Sequence, residues 1–292
     1  MKISFPGQLA VAGAFAALAV AALPAAAADW SDTSLGYRYG TQFEEPFNPN
    51  KIKKNIFSLT HASGYKYGSN FFNVDALLSD SKDPSSPGGS SGAQEVYIVY
   101  RTTLDASKVF GKDYKYGIMR DWGATTGFDF NTKDDAGYNS KKRMFVLGPT
   151  MMFDVPGFLN ASLLALWESN APCNEFTTPQ SCVSRYSYKT HPMLSLAWGI
   201  PIGDSAFSYE GFALFIASKG KDEFGNQTKP ETNFDSQIML DVGKLTGSIP
   251  KGTFKVGLEY QYWKNKFGND HNGPAGTGAV ASTPMIRAEY HF

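Results

Sequence analysis

The sequence predicts an all-β fold, a 12-stranded antiparallel β-barrel that spans a membrane and follows an N-terminal signal peptide. Three observations lead to this prediction. Segments of about 10–14 alternating apolar and polar residues recur along the chain. Long polar connectors alternate with short ones between these segments. After the N-terminal segment, no apolar run approaches the ~20 residues that a membrane-spanning helix needs.

The first 28 residues predict a signal peptide, and residues 29–292 the barrel. Lys2 is the only charged residue before Asp29. The apolar run at 9–23 has the length of a signal-peptide core and is short for a spanning helix. Small residues precede Asp29, so we expect cleavage after Ala28. A retained anchor helix is the alternative, which Pro24 disfavours because proline interrupts the apolar run.

Twelve alternating segments predict the strands. They are enriched in Val, Ile, Phe, Tyr and Thr, which favour strands over helices. Prolines at 149, 192 and 284 weaken three of the assignments. The segments are residues 33–43, 55–65, 69–80, 94–104, 115–130, 142–154, 157–169, 186–200, 205–218, 232–245, 253–267 and 282–292.

The connectors predict the orientation of the barrel. Long Gly-rich connectors such as "DPSSPGGSSGA" alternate with short ones such as "VPG". Outer-membrane barrels have short periplasmic turns and longer outer loops, so both termini should lie on the periplasmic side. The outer membrane of a Gram-negative bacterium is the expected location, with membrane lipid and lipopolysaccharide as surroundings.

The last segment, "STPMIRAEYHF", should pair with the first and close the barrel, because unpaired backbone groups are not tolerated in lipid. Its terminal Phe292 resembles the C-terminal aromatic signature that the barrel-assembly machinery reads. The barrel-assembly machinery is therefore an expected partner.

Successive residues of a strand point to opposite faces of the sheet, so the odd or even position of a residue (its parity) predicts whether it faces the lumen. A charged side chain at mid-depth on the lipid face costs about 2–4 kcal/mol, so Arg38, Arg101 and Arg287 should face inward. Their role stays open between a structural ion-pair network and a polar ladder for a solute. The parity of strands six to nine is ambiguous. The inward residues predicted on the other strands include Asn73, Asp75, Glu95, Tyr97, Asp121, Glu259 and Glu289.

Cys173 and Cys182 are the two cysteines, and an even count in an exported chain favours a disulfide. Such a bridge would stiffen a surface loop and stabilise it by about 2.7 kcal/mol. Metal binding is the weaker alternative, since no histidine lies nearby at ligand spacing. No cofactor is indicated.

Composition and motifs argue against several functional classes. The formal net charge is +0, which gives no electrostatic case for a nucleic-acid polymer as partner. The chain has 4 histidines and no G-x-S-x-G run, and no serine pairs convincingly with a histidine. We therefore do not expect an enzyme.

Twelve strands close into a backbone cylinder of roughly 24 Å diameter, and the space left by the side chains would admit a small hydrophilic molecule.

Several runs resemble the Tsx family of nucleoside-specific channel-forming outer-membrane proteins. They are "SLTHASGYKYGSNFFNVDALLSD" (58–80), "GFDFNTKDDAGYNSKKRMFVLGPTMMFDVPGFLNASLLALWESN" (127–170), "EGFALFIASKGKDEFGNQTKPET" (210–232) and "TPMIRAEYHF" (283–292). The resemblance implies a twelve-stranded barrel, passive diffusion of nucleosides past aromatic and ionisable lumen residues, and use as a phage receptor.

Two aromatic residues match positions of the family's stacking ladder. Phe43 follows Thr41 and Gln42 at the top of the first strand, and Trp263 closes the run "YQYW". The enteric branch of the family has a basic residue where this chain has Gln42, which leaves the substrate open. Phe43 could equally be an aromatic residue of the membrane interface.

Two other functions remain open. A structural barrel or adhesin that conducts little would have a lumen filled by its own charges. A channel for another small nutrient would show an apolar lumen face. We expect a monomer, since no interface is evident in the sequence.

Overall fold

The computed structural model describes residues 28–177 and 179–292. The predicted signal peptide therefore lies, apart from Ala28, outside the described residues. None of the helices in the described ranges has both the length and the apolar character needed to cross a bilayer.

The described residues form twelve long antiparallel strands. Each strand pairs with its two neighbours, and the last pairs with the first. The strands are β1 (Ala28–Glu45), β2 (Asn48–Tyr65), β3 (Gly68–Ser79), β4 (Gln94–Asp105), β5 (Met119–Lys133), β6 (Arg143–Phe153), β7 (Phe158–Asn170), β8 (His191–Pro201), β9 (Phe207–Ile216), β10 (Glu231–Asp241), β11 (Phe254–Lys264) and β12 (Val280–His291).

Pairing between β12 and β1 closes the barrel. The register runs from Ser34 opposite His291 to Gly40 opposite Met285. The amide of Phe292 continues the pairing and donates to the Thr33 carbonyl at 2.9 Å. Closure leaves no open sheet edge among these strands, which is the condition for a β-sheet to cross lipid. The predicted fold is confirmed.

The connectors define two different ends of the barrel. The terminal end carries both ends of the described chain and the connectors 66–67, 106–118, 154–157, 202–206 and 242–253. Helices α1 (Ala106–Phe110) and α2 (Val242–Thr246) lie in two of these connectors. The loop end carries the short turn at 46–47 and the loops at 80–93, 134–142, 171–190, 217–230 and 265–279. The loop at 171–190 holds the predicted Cys173–Cys182 disulfide, and this disulfide is confirmed.

The first hairpin differs from the sequence prediction. We expected a connector between residues 43 and 55, but β1 and β2 run on to a two-residue turn at 46–47. Pairing continues through Phe43 opposite Ile52 and Glu45 opposite Asn48. The polar residues of this stretch conceal the strands because the hairpin ends in a network of buried charges, which is described below.

The two faces of the barrel have opposite character. Leu35, Leu258 and Ile286 point outward and are 50%, 70% and 56% exposed. Arg38 and Arg287 point inward and form ion pairs there, as does Arg101, so the predicted orientation of the three arginines is confirmed. A closed barrel with an apolar outer face and a charged interior is the architecture of outer-membrane proteins, and this protein is an outer-membrane β-barrel.

Register also assigns the faces of β6–β9, which the sequence leaves open. Val146 on β6 pairs with Leu166 on β7, and Leu164 pairs with Met193 on β8. These four side chains are buried together inside the barrel. Strands six to nine therefore present apolar side chains to both lipid and lumen, which is why their sequences show no clear alternation.

The outward orientation of β11 can be tested with Leu258→Arg. An arginine at this lipid-facing position should lower the free energy of unfolding in phospholipid vesicles by about 2–4 kcal/mol. Leu245→Arg is the matched control, because Leu245 is 62% exposed but lies on the α2 connector. Urea titration followed by tryptophan fluorescence measures both. Equal losses for the two variants would contradict the assignment of faces.

Candidate functional site

The centre of the lumen wall holds a charged cluster built on the seam where the barrel closes. Arg38 and Arg287 are direct register partners on β1 and β12, an arrangement that is unfavourable for like charges. Glu259 on β11 lies between them, with carboxylate oxygens 3.3 Å from Arg38 Nη1 and 2.7 Å from Arg287 Nη1. Asp75 on β3 lies 2.6 Å from Arg38 Nη2. The carboxylates thus compensate the paired arginines.

Polar residues of β12 and β10 extend this central charged cluster. Glu289 lies 2.6 Å from Arg287 Nη2. Gln237 accepts from Arg287 Nη1 at 3.3 Å, and Asp235 accepts from Gln261 Nε2 at 3.0 Å. Asp235 and Gln237 are not among the residues predicted to face the lumen, although polar residues alternate with Phe234 and Ile238 along β10.

A second ion pair adjoins the cluster on β4 and β5. Arg101 pairs with Asp129, which also accepts a hydrogen bond from the Tyr97 hydroxyl at 2.9 Å. Tyr97 is the register partner of Asp75, so the two groups form one continuous polar wall. The structure therefore brings together seven of the predicted lumen residues, namely Arg38, Asp75, Tyr97, Arg101, Glu259, Arg287 and Glu289.

Asp121 has a different environment from the other predicted lumen residues. It lies near the terminal end of β5 and accepts hydrogen bonds from the Ser107 amide, at 3.2 Å, and the Ser107 hydroxyl, at 2.5 Å. Its contacts fix α1 against the barrel rather than joining the central charged cluster.

Phe43 faces inward because β1 is irregular. Parity from Tyr37 and Tyr39 would direct residue 43 to lipid, but register shifts follow Gly40. The ring packs against Ile52, Ile56 and Met285 and is only 4% exposed. The ammonium of Lys54 lies 5.5 Å from its centroid. Phe43 is thus a packed residue of the lumen wall in this conformation.

Trp263 also faces the lumen and is held by several neighbours. Its Nε1 donates to Glu231 at 2.6 Å. The Lys266 ammonium lies 4.7 Å from its ring centroid, and the Phe267 ring packs edge-on at 5.0 Å. Both ring contacts come from loop residues, so access to Trp263 depends on the loop at 265–279.

The loop end of the lumen contains a network of buried lysines around one carboxylate, which we call the outer network. Glu45 lies 2.7 Å from Lys54, 3.2 Å from Lys266 and 3.5 Å from Lys133. Lys133 also pairs with Asp83 at 2.9 Å. Burial lowers the pKa of Lys266, since Glu45 only partly offsets the loss of solvation.

Loops from other sides of the barrel meet beside the outer network. Lys142 lies 3.9 Å from the ring centroid of Phe267, which joins the β5–β6 loop to the β11–β12 loop. Glu168 binds Lys219 at 2.8 Å. Burial lowers the pKa of Lys142, and Lys219 lowers it further, whereas Glu168 raises the pKa of Lys219 despite burial. These contacts narrow the lumen at the loop end.

Part of the wall formed by β6–β9 is apolar, in contrast to the central charged cluster. We call it the apolar arc. Its members are Met144, Val146, Leu164, Leu166, Met193, Leu214 and Ile216.

Phe212 adjoins the apolar arc and is accessible within the lumen. It is the register partner of Asp235 and shares its face with Glu210, which pairs with the inward Lys255 at 3.5 Å. It is 37% exposed, whereas Phe43 is 4% exposed. Phe212 is not among the predicted lumen residues, because β9 has apolar residues on both faces and its sequence does not show which face is inward.

The described residues contain no group of three or more His, Cys, Asp or Glu side chains arranged to hold a metal ion. The chemistry that these residues offer is ionic, hydrogen-bonding and apolar contact with a solute.

Comparisons with known proteins return distant structural likenesses. No protein-family model and no curated protein matches the sequence. The KdgM porin aligns with a TM-score of 0.42 and 8% identity, over 89% of this chain and 99% of its own. The translocator domain of autotransporter NalP from Neisseria meningitidis aligns with a TM-score of 0.44 and 11% identity, over 97% of each chain. The outer membrane protein OpdK from Pseudomonas aeruginosa aligns with a TM-score of 0.30 and 8% identity, over 91% of this chain and 99% of its own. Likenesses at this level carry no inference about the solute.

The bridging role of Glu259 can be tested by Glu259→Gln. Removing this buried charge leaves Arg38 and Arg287 side by side, so the free energy of unfolding should fall by about 3 kcal/mol. Glu210→Gln is the control, because its pair with Lys255 is partly exposed and should contribute at most about 1 kcal/mol. Urea unfolding in vesicles compares the two. A loss at Glu259 no larger than that at Glu210 would contradict the bridging role.

Proposed function

We propose that this protein is a passive outer-membrane channel selective for nucleosides and related solutes. Such solutes combine a flat aromatic base with a sugar that carries hydroxyl groups. The proposal rests on a lumen with two unlike faces, together with the sequence runs that resemble the Tsx family. It needs no cofactor and no energy source, because the solute moves down its own gradient.

The observation that carries the proposal is the inward exposure of Phe212. Every nucleobase has a flat apolar face, and stacking of a base on an aromatic ring contributes about 1–3 kcal/mol. Phe212 offers a partly exposed ring, and Leu214 continues the apolar surface on the same strand. Aromatic and apolar contact of this kind favours a base over a plain sugar.

The central charged cluster supplies groups suited to a sugar. β9 and β3 are six strands apart in a barrel of twelve, so Phe212 and Asp75 lie on opposite sides of the lumen. The side chains of Arg38 and Arg101 are 12% and 19% exposed, so they are partly accessible from inside. The hydroxyl groups of a sugar can replace hydrogen bonds to water with hydrogen bonds to the central charged cluster.

A structural barrel that conducts little is a second candidate, and the outer network favours it. The side chains of Glu45, Lys54 and Lys266 are 10%, 3% and 5% exposed, so little open space remains beside them. Passage of a nucleoside requires the loop that carries Lys266 to move. A channel for another, mildly apolar nutrient is a third candidate, since the apolar arc is the lumen face expected of it.

Conductance across a planar bilayer distinguishes these functions. We expect small single-channel currents that adenosine or thymidine reduces at millimolar concentration and that glucose leaves unchanged. Block by a short-chain carboxylic acid without block by nucleosides would favour the nutrient channel. Absence of current in both the wild type and Lys266→Ala would favour the structural barrel, because that variant removes a cation of the outer network.

Phe212→Ala tests the stacking role directly. Loss of one stacking contact should weaken nucleoside block about 5- to 100-fold while leaving the open current similar or larger. Phe215→Ala is the matched control, because Phe215 lies on the same strand, is 44% exposed and faces lipid. Equal block in both variants and the wild type would remove Phe212 from the proposal.

A further inference from the structure

The connector at 106–118 carries more large exposed apolar side chains than any other described connector of the terminal end, and two of them are aromatic. Phe110, Tyr116 and Ile118 are 59%, 82% and 76% exposed. The connector at 242–253 has nearly the same length and also begins with a five-residue helix, but it contains no aromatic residue. Connector length therefore does not account for the aromatic residues of 106–118.

The aromatic side chains of this connector continue the lipid-facing surface of the barrel. Trp122 points outward on β5 and is 43% exposed. The Tyr114 ring packs edge-on against Trp122 at a centroid distance of 5.8 Å, and the Phe110 ring packs against Tyr114 at 6.3 Å. The connector thus turns toward the outer surface of the barrel, beside the part of β5 that contacts lipid.

Specific contacts hold the connector in this position. Asp121 binds the amide and hydroxyl groups of Ser107 at the start of α1. Lys115 lies 2.5 Å from Asp154 in the next connector, and the Asp154 amide donates to the Ile118 carbonyl at 2.9 Å. Both ends of the segment are therefore tied to the barrel, while the apolar side chains between them stay exposed.

Basic residues flank the exposed apolar side chains. Within residues 28–177 and 179–292, no carboxylate lies within salt-bridge distance of Lys112 or Arg120, and both are exposed. Aromatic side chains favour the interface between headgroups and acyl chains, and basic side chains favour anionic headgroups. The segment combines both features at the edge of the lipid-facing surface.

We propose that residues 106–118 form a lipid-binding element on the membrane leaflet at the terminal end. Phe110, Tyr116 and Ile118 insert among headgroups and upper acyl chains, and Lys112 and Arg120 contact anionic phospholipid headgroups. Continuity with the lipid-facing surface through Trp122 identifies lipid, rather than a soluble protein, as the partner. This inference does not depend on which solute crosses the lumen.

Site-directed spin labelling of the full chain tests the proposal. Both native cysteines are paired, so Ile118→Cys supplies a single free thiol. In vesicles of phosphatidylethanolamine and phosphatidylglycerol, the label should collide readily with oxygen and rarely with an aqueous nickel complex. Ser248→Cys on the other connector is the control and should show the reverse. A label at 118 as accessible to nickel as the label at 248 would overturn the proposal.

Charge reversal tests the headgroup preference. In the Ile118→Cys background, the double change Lys112→Glu and Arg120→Glu should raise the nickel collision rate several-fold in vesicles that contain phosphatidylglycerol. It should change that rate little in vesicles of phosphatidylcholine alone. An effect of equal size in both vesicles, or in neither, would refute the anionic preference. A band on unheated gels that shifts in mobility when the sample is heated verifies that each variant is folded.

Discussion

Closure of the sheet between β1 and β12 is the constraint on which the structure depends. Backbone amides and carbonyls cannot remain unpaired in lipid, so the last strand must pair with the first. Closure places Arg38 opposite Arg287, and the seam is stable because Glu259 and Asp75 supply compensating charge at short distance. The backbone requirement and the charged lumen wall are therefore linked at one position in the barrel.

The sequence predicted the barrel, the inward arginines and the disulfide because each follows from a local rule. Alternation with period two assigns faces where one face is polar, as on β1, β11 and β12. It fails on β6–β9, where residues such as Val146 and Leu147 are both apolar. It also misplaces Phe43, since parity gives no sign of the register shift after Gly40. The outer network depends on loops meeting in space, which no local pattern encodes.

The lumen combines a charged side, an apolar side and a narrow loop end. The first two favour a solute that is polar on one part and flat and apolar on another. The narrow loop end must open for a solute to pass, because Lys266 and Phe267 connect the loop at 265–279 to β1 and to the β5–β6 loop. Non-glycine residues flanking Lys266 adopt positive φ, at 52° for Asn265 and 61° for Phe267. Such backbone conformations are unfavourable by about 1–3 kcal/mol each and persist where surrounding contacts hold them.

Amide hydrogen exchange of the protein in phospholipid vesicles tests the closed barrel most directly. In a closed barrel, the amides at the seam should exchange as slowly as the central amides of β7 and β8, since all are paired within lipid. The seam amides are those of β1 at 34–40 and of β12 at 285–291. Fast exchange along both sides of the seam, with protection kept elsewhere, would show an open sheet and contradict the account.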